Sequence, residues 1–153
     1  MHLEAKILVR RTPEEVWSYL GNHSNVPEWD RGVGSVRHNP DTPQGVGFEF
    51  ETLGKPDGSD SGAERGRMSY RITETDAVNG CTVQLTNSDG NARYFKQAEW
   101  RFKVDPDPQG AWITCAAHFK LRLQYIMLAP AFFMMRKAIH RDLESLKRVL
   151  END

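Results

Sequence analysis

Tyr70, Tyr94 and Lys96 are the residues of this chain best suited to chemistry. A phenol or an ammonium set in a mostly apolar wall can give a proton or a hydrogen bond to a carbonyl or carboxylate. All three fall on the apolar phase of their segments, Tyr70 with Met68 and Ile72, and Tyr94 and Lys96 with Ala98, Trp100, Phe102 and Val104. Tyr94 and Lys96 also stand beside the "SDGN" turn, where a lysine reaches water along its own stem, so a rim position competes with an inner one. Other reactive types point away from catalysis. His118 phases outward with Trp112, Thr114, Ala116 and Lys120, and Cys115 phases inward among apolar residues, where a thiol stays protonated and inert. His2, His23, His38, His118 and His140 show neither HxH nor HExxH spacing, so no metal site is expected and no cofactor is required. "HRDL" at 140–143 imitates a kinase catalytic loop, but Lys147 stands where the metal-binding Asn belongs. "GVGSV" lacks the third glycine of a dinucleotide fingerprint, and no Ser-His-Asp or Cys-His arrangement is readable.

The elements that must position these side chains follow from periodicity. Leu3, Ala5, Ile7 and Val9 alternate with His2, Glu4, Lys6 and Leu8 as a half-buried strand. Thr12-Pro13-Glu14-Glu15 reads as a helix start, with Thr12 capping, Pro13 first in the helix and two acids at the positive end of the dipole. Val16, Trp17 and Leu20 give that helix its apolar side, and "SNVPEWD" reads as a second short helix delivering Trp29 to the next strand. Six strands follow, at 33–38, 46–53, 67–75, 82–87, 94–104 and 112–123, separated by Gly/Pro/Asn/Asp-rich turns that fit an antiparallel meander. The link from Gly54 to Gly66 is too long for a hairpin and is expected to be a mobile lid or slack. From Pro130 the chain reads as one long amphipathic helix, with Phe132, Met135, Ile139, Leu143, Leu146 and Leu150 at helical spacing. Its start, Phe132 to Met135, is apolar all round and is expected to be buried on more than one side.

Composition bounds what such a chain does. Its 153 residues suit a single domain spanning 1–153. Twenty basic against 21 acidic residues, scattered without long runs, leave no track for a nucleic-acid backbone. Glu4 and Lys6 break any signal-peptide core, and the longest apolar stretch, Tyr125 to Met135, falls short of the roughly 20 residues of a spanning helix. Two isolated cysteines suit a reducing compartment, so a cytoplasmic location without a transmembrane segment is expected, with a homodimer left open.

The order strand, two short helices, six strands, long helix resembles the helix-grip fold of the START-related superfamily, and within it the SRPBCC, polyketide cyclase/dehydrase-like branch. The residues that carry the resemblance are "RTPEEVWSYLGNHSNVPEWDRGVGSV", "GVGFEF", "AEWRFKV" leading into "GAWITCAAHFKL", and the closing "LESLKRVLE". It implies an α+β architecture in which a curved seven-stranded antiparallel sheet wraps a long C-terminal helix, leaving a gap plugged by the two short helices.

Strand phase then names the wall of that gap. Val46, Phe48, Phe50 and Thr52 share one face, as do Val83 with Leu85, and Ile113, Cys115, Ala117, Phe119 and Leu121. The expected ligand-binding residues are Trp29, Phe48, Phe50, Met68, Tyr70, Leu85, Tyr94, Lys96, Trp100, Phe119, Phe132 and Met135, with Trp17 kept as plain core. Such a wall suits a lipid, quinone or polyketide-like molecule, held by a carrier or cyclised by an enzyme using Tyr70, Tyr94 or Lys96. A third class, a partner-binding module, would use Phe133 and Met134 if they are exposed.

Overall fold

The computed structural model describes residues 1–55, 66–76 and 80–152. The alternating segments form β1 (His2–Val9), β2 (Val33–His38), β3 (Glu49–Gly54), β4 (Met68–Asp76), β5 (Gly80–Leu85), β6 (Phe95–Asp107) and β7 (Gly110–Leu121). These make one antiparallel sheet in the order β1-β7-β6-β5-β4-β3-β2. The meander from β2 to β7 therefore closes on the first strand, as the helix-grip reading requires. Of the long link expected from Gly54 to Gly66, 56–65 lie outside the described residues.

Between β1 and β2, α1 (Pro13–Leu20) begins as its sequence dictates. Thr12 Oγ1 accepts from the Glu15 amide at 3.2 Å, and Pro13 occupies the first turn. A 3-10 turn at His23–Asn25 and α2 (Val26–Trp29) follow. The Tyr19 hydroxyl donates to Glu28 Oε2 at 2.6 Å and Asn25 Nδ2 donates to the Tyr19 carbonyl at 3.0 Å, so the short helices form one plug.

Two local breaks alter the expected faces. Gly47 takes φ +90°, which interrupts alternation before β3 and leaves Val46 at 69 % exposure while Phe48 is buried. The strand therefore begins at Glu49 rather than Val46. A bulge between Phe95 and Gln97 makes Phe95 and Ala98 the buried positions and turns Lys96 out to solvent. Tyr94 belongs to a 3-10 turn, Gly90–Tyr94, rather than to the strand.

The C-terminal segment departs most from expectation. It is a 3-10 turn (Leu123–Leu128), then α3 (Ala129–Phe132), then α4 (Met135–Glu151), not one helix. Pro130 lacks an amide hydrogen and starts a helix rather than continuing one. Ile139, Leu143, Leu146 and Leu150 of α4 are buried against Leu3, Val9, Ile113 and Ala117. Phe132 and Met135 face the same side, so Phe133 and Met134 between them point outward and are exposed, contrary to the expected all-round burial.

Phe132 does not face an empty space either. Its ring lies 5.6 Å from Phe95, 5.8 Å from Phe119 and 5.9 Å from Tyr94, centroid to centroid. Truncating it removes one member of a filled aromatic cluster. Phe132→Ala is expected to cost about 3 to 5 kcal/mol, comparable with the roughly 2 to 5 kcal/mol of Leu146→Ala, in paired denaturant melts.

Candidate ligand-binding site

A partly enclosed apolar cavity lies under the plug, towards the β3–β6 side of the sheet. It has a volume of about 100 Å³, room for about one small ring. Trp17, Trp29 and Trp100 contribute to its walls, with Phe50, Tyr70 and Phe102. Trp17, expected as plain core, thus shares the cavity with Trp29. Cross-strand pairing sets the aromatic order. Phe50 lies opposite Tyr70 and stacks on it at 5.3 Å, and Tyr70 meets the Trp100 edge at 5.6 Å. Trp29 closes the side nearest α4 by an edge contact with Phe102 at 5.7 Å.

The sequence-based wall divides accordingly. Trp29, Phe50, Tyr70 and Trp100 line the cavity. Phe48 stands behind Phe50 with ring centroids 6.0 Å apart, and the Met68 sulfur accepts a 3.5 Å contact from the Tyr70 hydroxyl. Leu85, Phe119 and Met135 pack into the main core away from the cavity, and Phe132 sits in its aromatic cluster. Tyr94 is wedged between Tyr125 and Phe132, and Lys96 is exposed, so neither faces this cavity.

Three polar residues that strand periodicity passed over stand here instead. His23, from the 3-10 turn, is buried and stacks on Phe50 at 4.7 Å, with its Nε2 4.0 Å from Cys81 Sγ. Its backbone amide donates to Gln44 Oε1 at 2.9 Å, which fixes the turn over the sheet. Desolvation lowers its pKa to about 4, so the ring is neutral near pH 7. Asp30 follows Trp29 directly, and its Oδ1 accepts from the Gly32 amide at 2.9 Å. Burial nevertheless raises its pKa. Asp142 of α4 accepts from the Arg31 amide at 3.1 Å and is pushed up to about 6, by burial first and then by the Asp30 charge. Asp30 and Asp142 both line a second, adjoining cavity of about 70 Å³ with Trp29, Trp100, Phe102 and Cys115.

These groups give the cavity a defined chemistry. Burial and then the Asp30 charge raise the Tyr70 phenol, which therefore remains a donor, and Thr52 stands beside it. Its thioether partner is a weak acceptor, so a ligand oxygen would be a better one. Burial likewise raises the Cys115 thiol, and raises Cys81 to about 11, which keeps both protonated. His118 lies on the exposed side of the sheet, its Nδ1 3.1 Å from that of His2. Among the described residues, no group of three or more His, Cys, Asp or Glu is arranged to hold a metal. No helix among them is long and apolar enough to cross a membrane.

Comparison with known proteins agrees with this fold. The family profile described as "Polyketide cyclase / dehydrase and lipid transport" matches residues 1–151. Ara h 8.0201 superposes with a TM-score of 0.73 at 10 % identity, over 100 % of this chain and 99 % of its own. Norcoclaurine synthase from Thalictrum flavum, solved with dopamine and hydroxybenzaldehyde, superposes with a TM-score of 0.71 at 11 % identity, over 98 % of this chain and 86 % of its own. Protein MLL2253 from Mesorhizobium loti gives 0.72 at 14 % identity, over 99 % and 98 %. At such identities the likeness is one of fold. No curated protein matches the sequence.

The buried titratable groups set opposite pH dependences. His23 has a folded pKa below its unfolded value, so the native state binds fewer protons, and stability present above about pH 6.5 is lost as pH falls towards 4. The loss is on the order of 3 kcal/mol. Asp142 has a raised folded pKa, so its ionisation works against the fold as pH rises from about 4 through 6. His23→Gln is expected to flatten the acid limb of a stability-against-pH profile. Asp142→Asn should raise stability at pH 7 and leave it unchanged at pH 4.

Proposed function

Because the chain belongs to the polyketide cyclase / dehydrase and lipid transport family, we propose that it binds a small, flat, mostly apolar molecule in the cavity beneath Trp17 and Trp29. The observation that carries this reading is the wall itself. Phe50, Tyr70, Trp100 and Phe102 supply stacking faces, while Tyr70 and Asp30 supply one donor and one carboxyl at the same surface. The ligand class is therefore a planar ring or enone bearing an oxygen, as in a quinone or polyketide-like compound, with that oxygen towards Tyr70. Orientation comes from the polar pair and affinity from apolar burial.

A second reading is favoured by one specific feature. Asp30 is a carboxyl lining the cavity, and burial raises its pKa, which makes it a stronger base than an exposed carboxylate. In a cyclase or aromatase, Asp30 would accept a proton from an activated methylene while the Tyr70 hydroxyl donates to the enolate oxygen. Asp30→Asn would then keep binding and abolish turnover.

Three tryptophans on the wall make occupancy visible. Titration with 4-nitrophenol, a single planar ring bearing an oxygen, should quench tryptophan emission saturably, and Tyr70→Phe should weaken binding about ten-fold through loss of the buried hydrogen bond. Non-saturable quenching, or unchanged binding in a stably folded Tyr70→Phe variant, would remove the reading. Native mass spectrometry of the purified protein, with extraction of any bound compound, would identify the natural ligand.

A further inference from the structure

We propose that this protein docks on anionic phospholipid bilayers through the apolar tip formed by residues 123–134. The tip is the 3-10 turn and α3 that join β7 to α4. Leu123 and Met127 are 85 % and 91 % exposed, and Ile126, Leu128, Phe133 and Met134 are exposed beside them. Side chains this open protrude from the surface rather than line a groove. Beneath them, Tyr125, Tyr94 and Phe132 make edge contacts at 4.9 and 5.9 Å, an aromatic base that holds the tip on the body of the protein.

The charges around the tip identify what it meets. From Pro108 to Arg141 the sequence contains no Asp or Glu, but it contains Lys120, Arg122, Arg136, Lys137 and Arg141. None of these five forms an ion pair among the described residues. Elsewhere the arginines of the sheet are paired, Arg37 and Arg67 with Glu51, Arg71 with Glu49, and Arg101 with Glu74. Arg122 at the root of the tip has a buried Nε with no partner among the described residues. Glu4 and Glu144 share a depression with Arg136, Lys137 and Arg141, but Glu4 pairs with His2 and Glu144 with His140. Asp89, which precedes the 3-10 turn that carries Tyr94, is held by Arg67 at 2.6 Å.

An apolar protrusion with an unneutralised basic rim is complementary to a surface that is anionic at the headgroups and apolar just beneath. A second copy of the chain fits poorly, because a twofold contact would set the same cations against each other. Docking of this kind does not depend on the cavity being filled, so it stands apart from the ligand reading.

The test is vesicle sedimentation with the full chain, on phosphatidylcholine mixed with phosphatidylglycerol and on phosphatidylcholine alone. Binding is expected on the mixed vesicles, with little on the neutral ones and a steep fall as salt rises. Met127→Glu or Leu123→Glu, each at an exposed position, should abolish it while thermal melting is unchanged. Arg136→Gln and Lys137→Gln should each weaken it about five-fold. Tyr70→Phe should sediment like the wild type, which separates failure here from failure of the cavity reading. No binding to mixed vesicles at low salt, or binding unaffected by Met127→Glu, overturns the proposal. So does a dimer in analytical ultracentrifugation that Met127→Glu dissociates, since the tip is then occupied by another copy.

Discussion

One α-helix about 10 Å across cannot cover seven strands set about 4.8 Å apart, and this mismatch of widths governs the rest of the molecule. The leucine stripe of α4 settles on the β1 and β7 side, where Leu143 and Leu146 join a core with Leu3, Val9 and Ile113. The opposite side, with Phe48, Phe50, Ile72, Cys81 and Val83, is a second cluster that α4 does not reach. Cover there comes from α1 and α2, which are too short to fill the space completely. The cavity is the remainder between the two clusters, bounded by Trp17 and Trp29 above and by Phe50, Tyr70 and Trp100 below.

Because the cavity sits at a seam, its polar groups come from the seam. His23, Asp30 and Asp142 lie on a turn, a helix end and the flank of α4, where backbone amides of Gly32 and Arg31 can hold the two carboxyls. Burial costs each of them. His23 must stay neutral, and Asp142 keeps a proton at mildly acidic pH because Asp30 is its neighbour. Apolar side chains of similar volume would cost less at such a seam than these buried carboxyls do.

The fold was legible because its signals are periodic or positional. Alternation located the strands, and Thr12-Pro13 located α1 to the residue. The site was legible only where the period persists. Phe50, Tyr70 and Trp100 kept their phase and reached the cavity, whereas Lys96 lost its phase to a one-residue bulge and Val46 to the positive φ of Gly47. Neither interruption changes composition, so a reading by period runs straight through both. His23 and Asp30 had no period to reveal them. The one available signal was the adjacency of Asp30 to Trp29 in "PEWD", which puts an acid wherever that tryptophan is delivered. The apolar run from Phe132 to Met135 misled for a related reason. Counting apolar residues says how much surface seeks burial, but only one side of that segment has a partner among the described residues.

What the run lacks in partners it has in position. Its outward residues Phe133 and Met134 immediately precede the first turn of α4, and seven residues beyond Met135, about 10 Å along the helix, Asp142 lines the smaller cavity that adjoins the aromatic one. A hydrogen-bonded helix transmits displacement along its axis far better than a loop does. The exposed tip and the acidic wall are thus joined by a single stiff element, whose leucine stripe is fixed by packing and whose Asp142 carboxylate is tied to the plug through the Arg31 amide.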